Sequence, residues 1–188
     1  MKSSSRSGHG FHNRILPIRG RTSETIELLV LRDIVSKIRD ELDCLLRENI
    51  RLHVSDRSDP VSHVRAFRGE LEDLIRHLVL DARDAMPAGG ELNILTGTVA
   101  FDMNYARTHP EVPPGEYAML TIRDTGDGSN AATRKTLDEE VNIHKGRSLG
   151  LTACYNIIER LSGHLCVSRL AGETVFKIYL PCARAVHQ

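Results

Sequence analysis

The chain has 188 residues, enough for one domain of ordinary size with extensions at its ends. Its 25 basic and 25 acidic side chains balance, so no overall charge points to nucleic acid or an anionic membrane, and no apolar run nears the ~18 residues that span a bilayer. The four cysteines, Cys44, Cys154, Cys166 and Cys182, show no paired spacing, which argues against a disulfide frame or zinc site and predicts reduced thiols in a cytoplasmic protein.

Residues 1–23 lack acidic side chains, carry Lys2, Arg6, Arg14, Arg19 and Arg21, and predict a flexible basic tail. There is no apolar segment of the kind that directs secretion. Thr22 to Glu48 predicts a helix capped by Ser23, with Ile26, Leu29, Val30, Ile34, Ile38, Leu42, Leu45 and Leu46 as its buried stripe. Ile50 to Val54 alternates apolar and polar residues and predicts a strand, followed by a polar turn from Ser55 to Ser62. A second helix, roughly 67 to 86, places Leu71, Leu74, Ile75, Leu78, Val79, Ala82 and Ala85 on one face, and Pro87, Gly89 and Gly90 stop it.

Glu91 to Phe101 and Glu116 to Arg123 predict two antiparallel strands around a Pro-rich excursion at 102–115. Asp124 to Ser148 is polar and predicts a long loop. Leu149 to Leu161 predicts a helix with Leu151, Cys154, Ile157, Ile158 and Leu161 inward, closed by Gly163. Two last strands, His164 to Arg169 and Thr174 to Leu180, turn at Ala171-Gly172. Strands that mostly neighbour each other in sequence favour an α+β fold, a two-layer sandwich in which a mixed, mostly antiparallel sheet is covered on one face by helices.

Three stretches could carry chemistry. His77, Asp81 and Asp84 are four and three residues apart and share one side of the second helix. They suit either a ligand or a solvated edge. Asp124-Thr125-Gly126-Asp127-Gly128 follows a buried strand, where a carboxylate can accept from an exocyclic amine and glycines allow close approach to a flat ring; a plain turn has the same composition. Gly146-Arg147-Ser148-Leu149-Gly150-Leu151 opens a helix whose free amides can bind phosphate, with Lys145 and Arg147 alongside; an ordinary cap by Ser148 is the alternative.

Taken in order, these stretches resemble the ATP-binding catalytic domain of sensor histidine kinases, in the superfamily shared with DNA gyrase, heat-shock chaperone ATPases and mismatch-repair ATPases. His77 to Gly90, HLVLDARDAMPAGG, is similar to that family's NLxxNARDAMPxGG. Asp124 to Gly128 matches DTGxG, Gly146 to Leu151 partly matches GTGLGL, and the ending GETVFKIYLP resembles GTxFxIYLP. The likeness covers about residues 24–182, leaving 1–23 and 183–188 as tails.

The resemblance implies a Bergerat-type sandwich that binds ATP with Mg²⁺ and transfers phosphate to a histidine on another domain or chain. It implies that Asp124, with Thr174 close by, receives the adenine amine, and that Gly126 and Gly128 admit the ring. Asp81 stands where the family places its Mg²⁺-ligating asparagine, and His77 stands one turn earlier, so these two are the catalytic candidates. Asp84 lies on the same edge. Gly146 and Gly150 would shape the phosphate loop beside Lys145 and Arg147, and residues 129–145 would form a lid. The implied partners are a response-regulator receiver domain or a histidine-bearing dimerisation domain.

The chain also departs from the pattern. Aspartate replaces asparagine at 81, His77 replaces asparagine, Ser148 replaces a glycine, and the lid has no phenylalanine. No histidine sits in a phosphoacceptor box. These departures carry the alternative expectation of a weakened or inactive relative that docks receiver domains.

Overall fold

Apolar side chains at helical spacing determine where the helices lie. The computed structural model of the protein describes residues 25–126, 149–170 and 172–183. Helix α1 spans Leu31–Leu45 and buries Leu31, Ile34, Val35, Ile38 and Leu42. It starts later than residue 22, because Glu27–Leu29 is extended as strand β1, and the N-cap is Val30 with no side-chain cap. Ile26, expected in the buried stripe, is 55% exposed. Strand β2 runs Ile50–Arg57, through part of the expected turn, and Val64–Ala66 forms a short β3 that pairs antiparallel with β1.

Helix α2, Arg68–Ala85, buries all seven residues of its predicted stripe. Each large side chain among them contributes roughly 1.5–3 kcal/mol on leaving water. Strand β4 is Gly90–Phe101 and helix α3 is Met103–Thr108, inside the Pro-rich excursion. Asp102 caps α3, its Oδ1 accepting from the backbone of Asn104 and Tyr105 at 3.0 and 2.9 Å. Strand β5 is Gly115–Asp124, helix α4 Leu149–Arg160, strand β6 His164–Leu170 and strand β7 Glu173–Pro181.

The five-stranded sheet has the order β2-β4-β5-β7-β6, with β2 parallel to β4 and every other pair antiparallel. Leu92, Ile94, Leu120, Ile122, Phe176 and Ile178 pack against the buried stripes of α1, α2 and α4, so the three long helices cover one face. The α+β sandwich expected from the strand pattern is the observed architecture. Ala183 N–H donates to His63 O at 2.7 Å, which ties the start of the expected C-terminal tail into the fold. No helix among the described residues is long and apolar enough to cross a membrane.

α4 ends in a Schellman arrangement, with Gly163 N–H on Ile158 O at 2.8 Å and Ser162 N–H on Glu159 O at 2.9 Å. The left-handed residue there is Ser162, at φ 53°, rather than Gly163.

Candidate functional site

Register places two polar side chains together at one end of the sheet. Asp124, the last residue of β5, is opposite Thr174 of β7. Each is 1% exposed. Asp124 Oδ1 accepts from Gly126 N–H at 3.0 Å. Among the described residues the Thr174 hydroxyl has no hydrogen-bond partner. A buried hydroxyl without a partner costs about 1–3 kcal/mol, so its persistence beside a buried carboxylate points to a ligand that completes it.

The loop after β5 is seated on the end of α2. A Cβ at Gly126 would lie 2.5 Å from Ala85 O and 2.9 Å from Asp124 Oδ1. The glycine at 126 is therefore required by close packing on α2, and this need stands whether or not a ring enters beside it. Thr125 fastens the same loop to β4: its Oγ1 accepts from Glu91 N–H at 2.9 Å and its N–H donates to Glu91 O at 3.2 Å. The turn after α2 is equally tight. Gly89 has φ 93°, and a Cβ there would lie 2.5 Å from Asn49 O, so no other residue fits without strain. Thr125 and Asn49 were not singled out from sequence. Thr125 sits inside the DTG motif, whereas nothing local marks Asn49.

Asp81 and His77 lie on the edge of α2 that faces α4. Glu70 of α2 bonds Arg160 of α4, and the Cys154 thiol donates weakly to Leu74 O, so the two helices run antiparallel. Burial pushes the Cys154 thiol up to about 12, and the Asp81 carboxylate adds to the shift, which puts that carboxylate on the α4 side. Both His77 and Asp81 are half-buried, and His77 Nδ1 is buried with no hydrogen-bond partner among the described residues. Asp84 is placed differently: it is exposed and its carboxylate is 2.9 Å from Arg83 and 3.8 Å from Arg47. Gly150 is in the first turn of α4. Gly128, Lys145, Gly146, Arg147 and the expected lid at 129–145 lie outside the described residues, as does the basic tail at 1–23.

The residues present fit the base end of an adenine nucleotide. A buried carboxylate can accept an amine proton, and the adjoining hydroxyl can meet a ring nitrogen or a bridging water. No cluster of three or more potential metal ligands occurs among the described residues. A divalent ion would be held by Asp81 together with phosphate oxygens, which is how Mg²⁺ is commonly bound.

No family model matches the chain. Its sequence is 30% identical over 173 residues to the sensor kinase CckA of Brucella abortus (strain 2308), covering 89% of this chain and 18% of that protein. It is 26% identical over 164 residues to the sensory histidine kinase/phosphatase NtrB of Escherichia coli O157:H7, covering 86% of this chain and 44% of NtrB. The chain is a relative of the sensor histidine kinases. It spans less than half the length of either relative.

Solved structures agree on the fold. The mycobacterial sensor histidine kinase MprB superposes with a TM-score of 0.58 at 20% identity, over 83% of this chain and 98% of that one. The catalytic domain of histidine kinase ThkA gives 0.54 at 17%, over 84% and 96%. Full-length ShkA, solved in complex with AMPPNP, gives 0.59 at 17%, over 88% and 33%. The histidine-kinase-like fold therefore extends over most of the chain.

Proposed function

We propose that residues 24–182 form the ATP-binding catalytic domain of a two-component signalling protein, which passes the terminal phosphoryl group of ATP to a histidine on another domain or chain. The buried Asp124–Thr174 pair, with a threonine hydroxyl that lacks a partner among the described residues, is the observation that carries this reading. Asp124 accepts the adenine amine, while Gly126 and Thr125 hold the carboxylate in place through α2 and β4. Asp81 binds Mg²⁺ together with the phosphates, and His77, one turn earlier, completes the polar edge. Gly150 at the start of α4, with Gly128, Lys145, Gly146 and Arg147, forms the phosphate side.

Phosphoryl transfer needs positioning and charge neutralisation more than covalent work by the protein, so a rigid base pocket and a metal-binding edge are appropriate equipment. The partner is a histidine-bearing dimerisation domain, and through it a response-regulator receiver domain. ATP use, and four cysteines without paired spacing, support a cytoplasmic location.

The test is the melting temperature with ATP–Mg²⁺ at about 100 times Kd. Ligand linkage then stabilises by about 2.7 kcal/mol, a rise of roughly 5–11 °C for a domain of this size. No rise sinks the proposal. Binding without transfer of label to any histidine-bearing domain would leave a receiver-docking module instead.

A further inference from the structure

We propose that the outer face of the β1–β3 ribbon docks one amphipathic helix of a partner protein, a helix with an apolar seam and acidic residues beside it. Arg68, which bonds Glu27 of β1, begins α2, whereas Gly126 packs on Ala85 at the other end of that helix, about 25 Å away. The surface therefore stands or falls separately from the nucleotide reading.

The sequence of β1 carries the argument. Ile26-Glu27-Leu28-Leu29-Val30-Leu31 is an almost unbroken apolar run, the pattern of a strand covered on both faces. Only one cover is present. Leu29 and Leu31 are each 3% exposed, and on β3 Val64 and Ala66 are 2% and 1% exposed, all within the core under the helices. The alternate positions point the other way. Ile26 is 55% exposed and Leu28 61%, and Val30 and Phe67 are partly exposed. Leu28 lies opposite Arg65, so the outer face sets Ile26, Leu28, Val30 and Phe67 beside Arg65 and His63.

Dimensions and charge select the occupant. Two strands are about 10 Å wide, and five residues from Ile26 to Val30 run about 17 Å. One helix of about three turns, 10–12 Å across, matches that area. Arg65 and His63 are exposed, and no carboxylate pairs with Arg65 among the described residues. The carboxylate on β1, Glu27, is held by Arg68. Acidic residues flanking the seam of the incoming helix would answer Arg65 and His63. A second copy stacked on the same face would instead set Arg65 and His63 against their own kind. Residues 1–23 have the wrong sign as well, with five basic and no acidic side chains.

The experiment titrates the whole chain with two synthetic amphipathic peptides of about four turns, each with a leucine seam, one flanked by glutamates and one by lysines. Fluorescence anisotropy gives the affinities, and amide NMR shifts locate the contact. At low salt the glutamate peptide should bind on the order of five-fold tighter. Its shifts should centre on residues 26–30 and 63–67. Arg65→Glu should reverse the order of the two peptides. Leu28→Ser should weaken the glutamate peptide on the order of ten-fold while the melting temperature stays within about 2 °C, because the side chain is mostly exposed. No binding of either peptide, equal affinities, or shifts centred elsewhere overturn the proposal. So does dimerisation in sedimentation that Leu28→Ser abolishes, which would make a second copy the occupant. Binding to phosphatidylserine vesicles that Leu28→Ser abolishes, without peptide binding, overturns it in favour of a lipid surface.

Discussion

Gly126→Ala tests whether the loop after β5 is built onto helix α2. The new Cβ would lie 2.5 Å from Ala85 O, 2.9 Å from Ala85 C and 2.9 Å from Asp124 Oδ1. Two of these neighbours are backbone atoms of a buried helix end, so the loop has to move. Moving it breaks the 3.0 Å bond from Gly126 N–H to a carboxylate that is 1% exposed. A hydrogen bond to a charged group contributes roughly 1.5–3 kcal/mol, and a buried carboxylate left without it costs at least as much. For a chain of this size that predicts a fall in melting temperature of roughly 3–12 °C with no ligand present. Differential scanning calorimetry on the nucleotide-free protein measures it. A variant melting within 1 °C of the parent would refute the packing argument. If that variant also lost nucleotide binding, the glycine would serve ring access alone.

Thr174→Val should raise stability by about 1 kcal/mol in the free protein, because it removes, at nearly constant volume, a buried hydroxyl with no partner among the described residues. The same change should reduce the thermal shift given by ATP–Mg²⁺, and a loss of stability in chemical denaturation would contradict the assignment. Acid should weaken the domain through Glu41 and Asp56. The hydrogen bond from Arg76 holds the Glu41 carboxyl below its ordinary range, and at Asp56 hydrogen bonds from Ser58 and Thr96 outweigh the upward pull of burial. Both groups therefore stabilise the fold fully above about pH 4.3, and the contribution is lost as pH falls through their lower folded values. Melting curves between pH 6 and 2.5 should fall less steeply for a Glu41→Gln/Asp56→Asn variant, and an unchanged slope would count against the two contacts. Iodoacetamide should label exposed Cys44 and Cys166 and spare Cys154, which is buried with its thiol pushed up to about 12; early labelling of Cys154 by mass spectrometry would contradict the α2–α4 packing.

What the sequence showed and concealed follows from the range of each cause. The stripe of α2 is a repeat within one helix, and all seven of its residues are buried as expected. Strands β4 and β5 bracket a loop rich in proline, so their antiparallel pairing could be read locally. β1 could not. Ile26 to Val30 fits both a helical and an extended pattern. The choice is made by pairing with Val64–Ala66, some 35 residues later, which no local period records. β2 likewise runs past the expected turn because its partner is β4. Asp56 lies opposite Thr96, and the Thr96 hydroxyl donates to Asp56 Oδ1 at 2.6 Å, which keeps a polar stretch in the sheet.

The candidate site divides along the same line. Asp124 and Gly126 were visible because the motif is contiguous. The reason for the glycine was not, because it lies in Ala85, forty-one residues earlier. Helical spacing grouped Asp84 with His77 and Asp81, yet spacing cannot foresee Arg47 reaching from beyond the end of α1. Arg83 is adjacent in sequence and also takes the Asp84 carboxylate, at 2.9 Å. Two residues on one helical edge can thus have opposite fates. Asp81 faces α4, whose N-terminus favours anions, while Asp84 is drawn into ion pairs at the surface. A periodicity argument ranks the two carboxylates equally, and only the packing of neighbouring helices separates a metal-binding candidate from a surface ion pair.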